Sequence, residues 1–323
     1  MKKTLVALSV LAAAGSAQAI ELYNQDKVTV NMTGDVEIVY VKGTTDGDEF
    51  QQEIQDADFG FDTRYAVNDD VQVGAFWEFS GADTNADASV GDVYMGLYSQ
   101  SVGSIKFGKT ATALDDAGIG SDYQFGVSSF FSNGTPFAGH EVVKYELDKG
   151  NFYGTVAYMQ DKQGYNGLGK NGNFFDAKLG ARVADFDFTG FVGQAEFKEA
   201  GLTDADGVAI DGLKETIWAL EARYAGVENL NLELGYYSLG ADPKDADSQT
   251  DGSIAAAADY TLNSWKFATG VSQTNPDEGD KVVNWFLNAG YALAPSTTAY
   301  AEVGGNNGDD SQTGFAVGLK AEF

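Results

Sequence analysis

Hydrophobic and polar residues alternate with a period of two along nearly the whole chain. In the last segment Phe315, Val317, Leu319, Ala321 and Phe323 share one face, and Gly314, Ala316, Gly318, Lys320 and Glu322 share the other. Such alternation predicts a strand with one apolar and one polar side. The same pattern sets Val28, Val30, Met32, Gly34, Val36, Ile38 and Tyr40 against Thr29, Asn31, Thr33, Asp35 and Glu37, and Phe59, Phe61, Thr63 and Tyr65 against Asp58, Gly60, Asp62 and Arg64. Further apolar faces are Val71 to Phe79, Thr216 to Tyr224 and Val283 to Tyr291, taken at every second residue. No helical period competes with them. About sixteen strands are predicted, at residues 28–42, 52–67, 71–81, 92–99, 104–109, 141–148, 151–161, 173–184, 186–197, 213–225, 229–241, 250–262, 264–273, 281–293, 297–306 and 312–323. One apolar face per strand fits a soluble sandwich packed on its own core, and equally a membrane barrel with its apolar side toward lipid.

The connections separate these two architectures. Short links at 68–70, 100–103, 149–150, 225–228 and 293–296 take turns with long polar ones at 81–91, 161–172, 199–212 and 240–250. One rim of short turns and one of long loops is the habit of transmembrane barrels, and a sandwich has no reason to sort its loops this way. Tyr65, Phe79, Tyr224 and Tyr291 fall near strand ends, where interfacial aromatic girdles sit. The longest uncharged stretch, Val282 to Ala301, contains Asn284, Asn288, Pro295 and Ser296 and reads as two strands around a turn. It is no spanning helix. Sixteen strands close around an aqueous channel rather than a core filled by side chains.

Composition narrows the chemistry. Forty-eight acidic residues against 20 basic ones give a formal charge of -28, which repels a phosphate backbone and excludes nucleic acid as a partner. The absence of cysteine removes disulfides, thiolate nucleophiles and cysteine-based metal sites, and the single histidine, His140, argues against histidine-rich metal sites. Met1 to Ala19 has Lys2 and Lys3, the apolar run Leu5 to Ala14, and Ala17-Gln18-Ala19. This is the pattern of a secretory leader cleaved after Ala19, leaving residues 20–323 as one barrel domain. Gly167-Leu168-Gly169-Lys170-Asn171-Gly172 matches a nucleotide-loop string without opening a helix, and Asp204-Ala205-Asp206-Gly207 lacks the spacing of a calcium loop. No cofactor is expected beyond weak divalent-cation binding by acidic loops.

Several segments together resemble the trimeric general porins of Gram-negative outer membranes. They are Ile20-Glu21-Leu22-Tyr23-Asn24 leading to Met32-Thr33-Gly34, Phe59-Gly60-Phe61 followed by Trp77-Glu78-Phe79, Val102 to Lys109, and a terminal Phe323. The resemblance implies an all-β, antiparallel transmembrane barrel of about sixteen strands whose long third loop, Thr110 to His140, folds inward and narrows the channel. It places Asp115, Asp116, Asp122 and Gln124 at that constriction, Gln124 standing where many members carry a carboxylate. General porins set basic residues on the wall opposite. Here two such positions are Asp35 and Asp58, and the inward basic residues Arg64, Lys106, Lys144, Lys178, Arg182 and Arg223 are accompanied by acids such as Asp62, Glu78, Glu146 and Glu221. Acid-lined, low-dielectric walls concentrate cations, so the expectation is passive, cation-selective diffusion of small hydrophilic solutes and ions, without catalysis. The resemblance further implies a homotrimer with loop 81–91 reaching toward a neighbour, contact with outer-membrane lipid and lipopolysaccharide, and Phe323 read by the outer-membrane assembly machinery. The alternative is an oligosaccharide-specific channel with Tyr94, Tyr98, Tyr237 and Phe286 as stacking residues.

Overall fold

The computed structural model describes residues 19–81, 87–127, 134–198, 201–203, 209–210, 212–244, 247–277 and 279–323. The leader segment Met1–Gln18 and the Asp204–Gly207 motif lie outside the described residues. Strand β1 spans Ile20–Gln25, followed by β2 Val28–Lys42, β3 Gln51–Ala66, β4 Val71–Ser80, β5 Ser89–Ser99, β6 Gly103–Ala111, β7 Ala138–Asp148, β8 Phe152–Asp161, β9 Gly172–Val183 and β10 Phe186–Glu196. A small hairpin follows, β11 Leu202–Thr203 with β12 Ala209–Ile210. The series continues with β13 Lys214–Val227, β14 Leu230–Asp242, β15 Gln249–Leu262, β16 Trp265–Asn275, β17 Val282–Ala294, β18 Thr297–Asn306 and β19 Gly314–Glu322.

Each strand from β2 to β10 and from β13 to β19 pairs antiparallel with its sequence neighbours, β10 pairs with β13, and β19 pairs with β2. The result is a closed ring of sixteen strands with no free sheet edge, the condition that lipid imposes on β-structure. At the seam β19 covers Asp35 to Lys42 of β2, while β1 covers Val28 to Met32. Phe323 bridges the two: its N–H donates to the Gly34 carbonyl at 2.8 Å, and the Gly34 N–H donates back at 2.7 Å.

The two rims differ as the alternating loop lengths require. At one rim Ala184-Asp185, Glu228-Asn229, Asn263-Ser264 and Pro295-Ser296 join strands as two-residue turns. Ala184, Asn229, Asn263 and Ser296 all have positive φ, the left-handed backbone that matches a tight hairpin to the strand twist. The other rim carries the longer connections, including residues 112–137 between β6 and β7.

The outer face decides the solvent. Leu179 is 69% exposed, Leu234 61% and Val317 61%, and their neighbours at every second position are similarly bare around the ring. Soluble monomers rarely expose contiguous apolar patches beyond a few hundred Å². Aromatic pairs band this surface near the turn rim, with Phe186 against Tyr224 at 4.7 Å and Trp265 against Tyr291 at 4.9 Å between ring centroids. The surface is that of a barrel in a bilayer.

Candidate functional site

The inner face carries most of the strands' charged and polar side chains, together with an apolar patch of Val142, Met159, Phe174, Phe191, Ile217 and Phe286 that is buried with Leu114, Ile119 and Val127 of the connection after β6. The connection that follows β6 does not stand clear of it. After a 3-10 turn at Leu114–Asp116, its backbone runs along inward side chains of one strand after another. The Leu114 N–H donates to Asp176 of β9 at 2.7 Å, the Gly118 N–H to Glu221 of β13 at 2.6 Å, and the Gly120 N–H to Glu233 of β14 at 3.2 Å. Asn288 of β17 donates to the Ser121 carbonyl at 2.7 Å. Three successive amides, of Tyr123, Gln124 and Phe125, then converge on the Glu302 carboxylate of β18 at 2.7 to 2.9 Å. On the return, Gly134 and Thr135 donate to Glu215 of β13. Carboxylates accept amide hydrogens strongly, and these acids solve the problem of a loop with few backbone partners of its own.

The wall is shaped for this loop. A Cβ at Gly304 would lie 2.6 Å from the Phe125 Cβ, and one at Gly193 would lie 2.5 Å from the Leu114 Cδ1. Glycine at these wall positions leaves the room that the loop's side chains occupy. Gly304→Val is expected to lift Phe125 off the wall at a cost of about 1–3 kcal/mol, the usual range for overpacking. Faster proteolysis within 112–137, with unchanged β-sheet circular dichroism, is the measurement that checks it.

The residues singled out in the sequence fall into three groups. Asp115, Asp116 and Asp122 lie in the loop and reach solvent, while Gln124 turns to the wall and donates to Glu37 and to the Tyr300 hydroxyl, both at 3.2 Å. The inward basic residues are ion-paired. Arg64 meets Asp62 at 2.7 Å, Lys106 meets Glu146 at 2.7 Å, Lys144 meets Glu146 at 3.5 Å, Arg182 meets Asp148 at 2.9 Å, Arg223 meets Glu221 at 2.9 Å, and Lys178 meets the loop's Asp116. Asp35 and Asp58 form the third group, facing each other as register partners on β2 and β3.

Glu221 faces inward as expected, but it is buried between Arg223 and the loop's Gly118, so its charge is consumed in holding the loop. The stacking expectation needs correction. Phe286 and Tyr237 do not offer stacking faces, because both are buried, Tyr237 with its hydroxyl on Glu221 at 3.1 Å. Tyr98 is covered by the Arg64 guanidinium at 3.9 Å, and Lys106 lies 5.3 Å from the Tyr94 ring centroid. The sequence reading does not single out the anchoring acids Asp176, Glu215, Glu233 and Glu302, because they alternate like other inward acids and the backbone amides they accept from belong to a distant loop.

Although solvent reaches Asp115 and Asp122, partial burial holds both carboxyls above the ordinary aspartate range, reinforced by Asp116 for the first and by Glu302 and Glu233 for the second. A raised carboxyl takes its proton first as the pH falls. Cation preference is therefore expected to weaken on acidification before the ordinary carboxylates titrate. Reversal potentials recorded against pH should lose this early step in Asp115→Asn/Asp122→Asn.

The closed sixteen-strand ring, lipid-facing exterior and polar interior define a membrane channel protein of the bacterial β-barrel class. The sequence profile of the Gram-negative porin family matches residues 4–311, and the chain belongs to that family. It is 29% identical to Porin-like protein H of Photobacterium profundum and 26% identical to Outer membrane protein U of Vibrio parahaemolyticus, in each case over 100% of both chains. In fold it is similar to OmpT of Vibrio cholerae lacking loop L8, with a TM-score of 0.80 at 20% identity over 92% of this chain and 100% of the other. An anion-selective porin from Comamonas acidovorans aligns with a TM-score of 0.76 at 13% identity over 92% and 100%. The protein is an outer-membrane protein of a Gram-negative bacterium. Among the described residues no group of three or more His, Cys, Asp or Glu is placed to hold a metal ion.

Proposed function

We propose that this protein is a passive, cation-selective diffusion channel for small hydrophilic solutes and ions, with its constriction formed by the inward-folded 112–137 loop. The observation that carries the reading is the chain of amide–carboxylate bonds from Leu114 to Phe125, which ties the loop to β9, β13, β14 and β18. A loop tied across several strands of the inner face narrows the lumen and leaves the rest of it open. Fold does not dictate the sign of selectivity, since a porin of the same architecture is anion-selective. The side chains do, and here every inward basic residue named above is ion-paired, Lys106 and Lys144 sharing Glu146, while Asp35, Asp58, Asp115 and Asp122 have no basic partner within ion-pair distance among the described residues. The excess negative field attracts cations.

In this reading Met1 to Ala19 is a leader cleaved after Ala19, and three copies assemble in the outer membrane in contact with lipopolysaccharide. The trimeric form recorded for OmpT of Vibrio cholerae is of similar fold and supports the stoichiometry. Phe323 serves as the assembly signal. Its two backbone bonds to Gly34 also close the seam, so deleting it should lower outer-membrane yield and the temperature at which purified barrels unfold on gels. Swelling of liposomes containing the purified protein tests the channel reading. Swelling rates that fall steadily with solute size, without saturation by any sugar, are expected; no swelling, or saturation by one oligosaccharide, would contradict it.

A further inference from the structure

The inward charges are sorted along the channel axis as well as around it. Arg64, Lys106, Arg182, Arg223, Lys266 and Lys320 all lie toward the ends of their strands at the short-turn rim. Each is ion-paired there, Lys266 with Asp259 at 3.7 Å and Lys320 with Glu322 at 3.2 Å in addition to the pairs already described. The long-loop half is different. Its partly exposed inward charges include Asp56, Glu78 and Asp92 on β3, β4 and β5, and among the described residues no Lys or Arg lies within ion-pair distance of them. The lysines on strands at that rim do not balance them, because Lys42 pairs with Phe315 and Lys109 with Val93, both outward positions. Among the described residues the inward charges toward the long-loop rim are therefore acidic, Lys144 and Lys178 stand near mid-strand, and the turn-side half is mixed.

We infer that the channel rectifies: Asp56, Glu78 and Asp92 make the loop-side half a cation filter in series with a weakly selective turn-side half, so cations pass more readily from loop rim to turn rim than back. The physics is that of two ion-selective segments joined end to end. When the field drives cations out of the acidic half, anions moving the other way are stopped at the junction, both ions accumulate there, and conductance rises. Reversing the field empties the junction of both ions and conductance falls. Short turns of such barrels face the periplasm, so the favoured cation current runs from the outside into the periplasm. The effect needs a Debye length comparable to the lumen, about 30 Å at 0.01 M salt against about 3 Å at 1 M.

The inference rests on the open-channel reading, and one experiment separates the two. Because the chain has no cysteine, Asp309→Cys in the loop between β18 and β19 gives a unique handle. A polymer-linked maleimide too large to enter the channel, added to one chamber, then reports which way each inserted protein faces. Current–voltage curves of oriented channels should be asymmetric at about 0.01 M salt, with the larger current when cations move from the loop rim, and symmetric at about 1 M. Asp56→Asn/Glu78→Gln/Asp92→Asn should lose the low-salt asymmetry while conductance at high salt persists. Symmetric curves at low salt, asymmetry of opposite sign, or a triple variant that rectifies like the parent would overturn the inference with the channel reading intact. Absence of current under every condition would overturn both.

Discussion

Glu302→Ala should free the loop tip and widen the channel without disturbing the barrel. The Glu302 carboxylate is almost fully buried and accepts from Tyr123, Gln124, Phe125 and Asn288. Hydrogen bonds to a charged partner are each worth about 1.5–3 kcal/mol, and removing the shared acceptor leaves donors unsatisfied, so loop attachment should weaken by about 3 kcal/mol or more. The stacked pair Tyr123 and Tyr300, 3.9 Å apart and nearly parallel, remains at the tip together with the Gln124 bonds to Glu37 and Tyr300 and the Asn288 bond to the Ser121 carbonyl. Single-channel conductance should rise and become noisier, and larger sugars should enter in the swelling assay. Glu302→Gln, which keeps one accepting oxygen, should fall between. Unchanged conductance in the alanine variant would mean that the loop does not limit flow.

The second large effect is expected from Asp35→Lys/Asp58→Lys. These two carboxylates oppose each other across β2 and β3, an arrangement that costs stability in an antiparallel ladder. Two cations in their place repel similarly, so the barrel should fold comparably, and the local field changes sign. The reversal potential under a salt gradient should move toward anions, while the single reversals should shift it less. A double variant as cation-selective as the parent would show that these wall positions do not face the ion path.

Much of the barrel could be read from alternation alone, and the places where it could not are instructive. β2 begins and ends where the pattern predicts, at Val28 and Lys42. Alternation does not predict β1, because Leu22 and Tyr23 interrupt the period of two, and the ladder has its register shift between Glu21 and Tyr23. Alternation predicts a start at residue 92 for β5, which begins at Ser89, on the far side of an irregularity opposite Trp77 and Phe79. β7 likewise extends back to Ala138, across the irregularity opposite Gly108 and Thr110. A β-bulge inserts a residue and swaps the faces beyond it, so a strictly alternating template stops there. The loop anchors were hidden for another reason. Glu302 and Asp176 look like any inward acid in the sequence, and what distinguishes them is a set of backbone amides more than sixty positions away or on the opposite side of the ring. Amides carry no side-chain signature. Ion pairs such as Arg64 with Asp62 and Arg223 with Glu221 were closer to legible, because two residues apart on one strand places both side chains on the same face.

The central claim is an open channel whose uncompensated carboxylates select cations. Its most direct test is the reversal potential of detergent-purified protein in planar bilayers under a potassium chloride gradient. The account predicts stepwise insertions, in groups of three for a trimer, with a potential of the sign that marks cation preference. Anion preference would contradict the charge assignment, and a membrane that never conducts would contradict the channel itself.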